Sequence, residues 1–125
     1  MRNVTPPSQE PCCDHPSLGV AGVRRLKRSL PHAEDIDAAS AFFALAGNPV
    51  RLKILVALRT QQELCVCDIA EVAEVSTAAV SAHLQRLKLG GLLCSRRVGQ
   101  RVLYSLSDHP LHEVIGGAFP AEARA

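Results

Sequence analysis

The sequence predicts a mostly α-helical domain carrying one β-hairpin, and three observations lead there. Aromatic residues make up only 3% of the chain and tryptophan is absent. The core must therefore be built from Leu, Val, Ile and Ala, side chains suited to helices packed on helices. Second, apolar residues recur at three- and four-residue spacing in runs that end at Gly or Pro. Third, two short runs, 92–98 and 101–106, flank Gly99-Gln100, the pattern of a two-residue hairpin.

Taken in order, residues 1–17 hold Pro6, Pro7, Pro11 and Pro16 with little apolar content and are expected to form a flexible arm carrying Cys12, Cys13 and His15. Residues 18–125 make up the domain. Its first helix, over 18–30, is basic (Arg24, Arg25, Lys27, Arg28) and is stopped by Pro31. A second is expected over about 35–46, with Ile36, Ala39, Phe43 and Ala46 as its apolar side, broken by Gly47-Asn48-Pro49. The third, about 49–59, opens on Pro49 and turns Leu52, Ile54, Leu55 and Leu58 inward. A fourth begins near 65–68, ends near 75 and buries Ile69, Val72 and Ala73. Ser76 is a natural N-cap for a fifth reaching about Leu89, with Val80, Leu84 and Leu87 as its core stripe and Gly90-Gly91 as its stop. After the hairpin, Gly116-Gly117 and Pro120 limit a last helix behind Asp108 to about two turns.

The chain has 125 residues, 47% of them hydrophobic, enough for one packed core and little more. It opens MRNVTPPSQEPCC, without the apolar run of a secretory signal, and no stretch approaches the ~18 apolar residues of a bilayer span. A cytoplasmic location without membrane attachment is therefore expected, and there the five cysteines should be reduced thiols. An enzyme is not expected: neither a Cys-x-x-Cys redox motif, a Gly-rich phosphate loop nor a carboxylate pair is present.

Two short helices joined by a tight turn, then a twisted hairpin with a basic tip, make a winged helix-turn-helix. The second of these helices can enter a major groove of double-stranded DNA, because its outward side (Ala78, Ser81, Ala82, Gln85, Arg86) is small and polar. Thr77, Ser81, His83, Gln85 and Arg86 are the candidate readers, although His83 flanks the core stripe and fits packing equally well. Arg96, Arg97 and Arg101 crowd the hairpin turn and suit phosphates or a minor groove. A net charge of +2 does not by itself point to nucleic acid; the placement of these arginines does.

Glu63-Leu64-Cys65-Val66-Cys67-Asp68 sets two thiols at the start of a helix. Within a regular helix they would point about 200° apart, but at the first turn, where the chain is still entering, both sulphurs can converge. The dipole at that end favours negative sulphur. A closed tetrahedral site wants four ligands, and Cys12, Cys13 and His15 on the arm are the candidates to complete it. Cys94, within a strand, is left outside this site. A thiol redox switch is the alternative use of the same sulphurs.

Residues 43–55 (FALAGNPVRLKIL), the ELCVCDIA that begins at Glu63, and VSTAAVSAHLQRLKLGGLL resemble the ArsR/SmtB family of metal-sensing repressors, a likeness covering roughly 35 to 107. The resemblance implies a homodimer on an inverted-repeat operator, released when metal binds. It places Cys65 and Cys67 at the family's thiolate pair and the cysteine-bearing arm with its cadmium/lead/zinc branch. Ala70 stands where arsenic sensors often carry a third cysteine, so arsenite or antimonite, the alternative inducer, would be held by Cys65, Cys67 and one arm thiol. At the family's second site, on the last helix, only Asp108 matches; Pro110 replaces the expected histidine, which implies that this site is lost. Soft thiolates favour cadmium, lead or zinc as inducer.

Overall fold

The computed structural model describes residues 17–119, which form six helices and a three-stranded sheet. Two compact units meet in sequence between His32 and Ala33. The first holds α1 (Gly19–Ser29), whose last turn carries Lys27 and Arg28, the sign that suits the carbonyl end of a helix. Pro31 follows, as expected, and Leu18, Val20, Val23, Leu26 and Leu30 are exposed.

The second unit holds the rest. Helix α2 (Ala33–Ala46) carries Glu34 and Asp35 in its first turn and runs into α3 (Pro49–Thr60) through a sharp corner. Asn48 makes that corner: its Oδ1 accepts from the amides of Val50 (2.9 Å) and Arg51 (3.1 Å), and Pro49 fills the first helical position, where no amide is needed. The Arg51 guanidinium then ties back to the carbonyl of Leu45 at 2.6 Å, closing the end of α2.

A two-residue strand, β1 (Leu64–Cys65), leads into α4 (Val66–Ala73). Glu74 ends α4 in the left-handed region, and Ser76 opens α5 (Thr77–Leu89) with its Oγ accepting from Ala79 N at 3.1 Å. The hairpin is β2 (Leu93–Val98) and β3 (Arg101–Leu106), turned by Gly99 at φ 62°, a conformation only glycine adopts without strain. Strand order is β1-β3-β2, all antiparallel. The last helix, α6 (His112–Ala118), has the short length expected of it.

One cluster unites these elements: Phe42 and Ala46 from α2, Ile54, Leu55 and Leu58 from α3, Ile69 and Ala70 from α4, Val80, Leu84 and Leu87 from α5, with Leu92, Leu93, Tyr104 and Ile115. Two expectations about it need correction. Val72 is 54% exposed, because α4 turns Ile69, Ala70 and Ala73 inward and Val72 falls roughly 100° away from their centre. On α2 the buried residues are Phe42 and Ala46, while Ile36 and Phe43, both 48% exposed, line a separate apolar side. The short strand β1 was not expected at all. Among the described residues, no single helix is long and apolar enough to cross a membrane.

Candidate nucleic-acid and metal interface

The reading helix is held rigidly from behind. Val80, Leu84 and Leu87 are fully buried, so α5 cannot rotate without opening the core, and its other side is fixed toward solvent. Thr77, Ser81, Gln85 and Arg86 are all exposed there, as the sequence predicts. His83 is not on that open side. It is half-buried, with Nδ1 3.3 Å from Nη1 of Arg51. Arginine can only donate, so Nδ1 accepts and the ring is neutral. Burial lowers the His83 pKa, and the charges of Arg51 and Arg86 lower it further. His83 therefore joins α5 to α3 rather than standing open beside the other candidate readers.

The hairpin alternates cleanly. Leu93 and Tyr104 face the core, so Cys94, Arg96, Val98, Arg101 and Leu103 face outward, and Arg97 falls on the same side as Tyr104 but beyond the core. Arg96, Arg97 and Arg101 are all exposed. They are not equivalent, however. Arg96 is held by Glu63, with Nε 2.5 Å from Oε2 and Nη2 2.7 Å from Oε1, a two-pronged pair that keeps the Glu63 carboxyl below its ordinary pKa. Arg97 and Arg101 have no ion-pair partner among the described residues. A further tie, Lys88 Nζ to Ser95 Oγ at 2.7 Å, joins the end of α5 to the wing. Neither Glu63 nor Lys88 was a sequence candidate; an acid shortly ahead of the thiol pair, facing a wing of three arginines, was the available signal for Glu63.

The two thiols lie where the chain enters α4. Cys65 is the N-cap, in extended conformation at the end of β1, half-buried, with its Sγ donating to Asp68 Oδ2 at 3.3 Å. Cys67 is exposed one residue into the helix and lines an open hollow of about 590 Å³ with Glu71, Glu74, Ser76 and Thr77, beside the start of α5. Soft sulphur donors at a helix entrance fit a thiophilic cation in kind. They do not complete its shell: among the described residues no three His, Cys, Asp or Glu side chains gather closely enough to hold a metal. The remaining candidates, Cys12, Cys13 and His15, lie outside the described residues. Cys94 is exposed on the outer side of β2, apart from the pair.

Ahead of the last helix, Asp108 is exposed and His109 is engaged in packing, its ring 4.7 Å from that of Phe42 and its Nδ1 accepting from Leu111 N at 3.2 Å. His112 is 5% exposed, with Nε2 3.0 Å from the carbonyl of Leu92 and Nδ1 without a partner. Facing a carbonyl, Nε2 carries the proton, and burial lowers the pKa of the ring despite that hydrogen bond.

Comparison with known proteins agrees with this geometry. Residues 48–94 match the family described as bacterial regulatory protein, arsR family. The chain is 38% identical over 99 residues to the transcriptional repressor SmtB homolog of Synechocystis sp., covering 79% of this chain and 74% of the relative. It is 40% identical over 97 residues to the cadmium resistance transcriptional regulatory protein CadC homolog of Staphylococcus aureus, covering 78% and 79%. Among solved structures, it is similar to the homodimeric winged helix-turn-helix DNA-binding domain of Mb0332 from Mycobacterium bovis, with a TM-score of 0.62 and 31% identity over 69% of this chain and 79% of that one. The chain belongs to the arsR family of bacterial regulatory proteins, DNA-binding transcriptional regulators of winged helix-turn-helix fold and not enzymes.

Proposed function

We propose that this protein is a repressor that grips an inverted-repeat operator as a metal-free homodimer and lets go when a thiophilic cation (cadmium, lead or zinc) binds Cys65 and Cys67. The observation that carries this reading is the position of the thiol pair at the entrance of the first helix of the helix-turn-helix, with Cys65 on a strand paired with the wing. The relative named for cadmium resistance supports a cation as the signal, and the one named a transcriptional repressor supports repression. In this reading the arm formed by residues 1–17 brings two of Cys12, Cys13 and His15 to the pair, giving the four donors such an ion prefers. Ala70, buried at 6%, supplies no third sulphur on α4, so arsenite would also have to recruit an arm thiol.

The chain's own residues divide the work. Thr77, Ser81, Gln85 and Arg86 of α5 face base edges, while Arg97 and Arg101 meet phosphate, where each contact adds to the salt dependence of binding. The test is a titration of the reduced, chelator-treated protein with Cd2+ in the presence of a duplex selected by that protein from a random pool. A sulphur-to-cadmium absorption band should grow in step with loss of DNA binding. Undiminished DNA binding at saturating Cd2+ would reject the reading, and release by peroxide in chelator would favour a redox switch instead.

A further inference from the structure

The pairing of the strands puts the thiols and the wing on one surface. Cys65 pairs with Leu103, and Leu103 pairs with Arg96, so the three residues form a single row across β1, β3 and β2. Side chains alternate along a strand, so Glu63, two positions before Cys65, points to the same outer side as Cys65, Leu103 and Arg96. The row spans two strand spacings, about 10 Å. Glu63 bridges it, taking the guanidinium of Arg96 through both carboxylate oxygens.

We propose that Glu63 is the residue through which the thiol pair controls the wing: it competes with a DNA phosphate for Arg96, and fixing β1 at Cys65 strengthens its hold. The proposal rests on the repressor reading above. A carboxylate and a phosphate offer a guanidinium the same fork of acceptors, so Arg96 serves one or the other and not both at once. β1 is only two residues long and lies at the edge of the sheet, paired on one side. A strand so short is held weakly and yields readily when a phosphate draws Arg96 away. Once Cys65 is tied to a cation, β1 and Glu63 have no such freedom, and each protomer gives up one phosphate contact. Arg97 and Arg101, without a carboxylate partner among the described residues, lie outside this control.

The experiment is a double-mutant cycle in the full-length protein using E63Q, R96Q and the combined variant. Each is bound to the selected duplex over a range of salt, with and without saturating Cd2+, after thermal melting shows that it folds. Without metal, E63Q should bind DNA roughly two- to fivefold more tightly per protomer. At saturating Cd2+ its salt dependence should be steeper than that of the wild type by a slope of roughly 0.9 per protomer, the phosphate contact that the wild type gives up, whereas without metal the two slopes should agree. The loss of affinity caused by Cd2+ should shrink, because E63Q keeps the Arg96 contact with and without metal. In the R96Q background the Glu63 change should do neither, which separates a released arginine from the general effect of removing one negative charge. R96K, keeping the charge without the fork, should resemble E63Q in its weakened response to Cd2+.

Equal salt slopes for wild type and E63Q at saturating Cd2+, or an E63Q effect that survives in R96Q, would overturn the proposal. If the wild type itself ignores Cd2+, the repressor reading fails, while the metal-free affinities of E63Q in the wild-type and R96Q backgrounds still decide whether Glu63 competes for Arg96. Should E63Q fail to fold, the R96K response to Cd2+ decides alone: a response equal to wild type overturns the idea.

Discussion

The helix-turn-helix and the thiol-bearing sheet edge are neighbours built on opposite terms. In the first, α3, α4 and α5 share a core in which Leu55, Val80, Leu84 and Leu87 are wholly removed from solvent, and Asn48 and Ser76 cap the ends with side-chain acceptors. In the second, β1 has two residues paired on one side only, Cys65 caps α4 without a side-chain bond to the backbone, and the outward side chains are tied by one thiol–carboxylate contact and the Glu63–Arg96 pair. The difference separates duties. The helix-turn-helix is set by packing before any ligand arrives, while the edge proposed to answer a cation is short and more easily shifted.

That contrast can be broken at several points, beginning with the most costly. Leu84→Ala empties the centre of the reading head and should destabilise the protein by about 2–5 kcal/mol in urea unfolding, with DNA binding lost in proportion to the unfolded fraction. Cys65→Ser should leave unfolding and metal-free DNA affinity nearly unchanged but abolish most of the metal response, which for coupled sites is typically about 5–150-fold. Equal response to Cd2+ in that variant would move the sensing function off this edge. Asn48→Ala removes the acceptor for two amides and should cost about 1–2 kcal/mol, again without touching the metal response.

The smallest expected effect concerns pH. The His112 pKa is depressed in the fold, chiefly by burial, so the unfolded chain takes up the proton first. Stability from this group is therefore complete above the ordinary imidazole range and is lost as pH falls from there toward the lower folded value. His83 has the same sign for the same leading reason. His112→Leu should flatten part of the acid side of a stability–pH curve measured by urea midpoints, and an unchanged curve would show that the ring is protonated at no cost.

Much of this was legible from residue order, because local rules and the core agree there. Pro49 after Asn48, Ser76 before α5 and glycine in the hairpin each have a local physical reason, and the elements they mark appear where expected. The stripe Val80, Leu84, Leu87 was readable for the same reason. Burial on α2 and α4 was less so: spacing identifies two apolar sides on α2, and only the tertiary neighbours decide that Phe42 rather than Phe43 faces in. The strand β1 escaped because two residues carry no periodicity and its pairing is with a segment some 40 positions later. The same long-range pairing hides Glu63–Arg96, and with it the difference between Arg96 and its neighbours Arg97 and Arg101.

The central claim is that the sulphurs at the entrance of α4 and the DNA-reading face oppose one another through the protein. Linkage makes that directly measurable: Cd2+ affinity is determined by competition with a chelator, once for the free protein and once with the selected duplex bound. The account predicts that DNA weakens Cd2+ binding by the same factor by which Cd2+ weakens DNA binding. Identical Cd2+ affinities with and without duplex would contradict it.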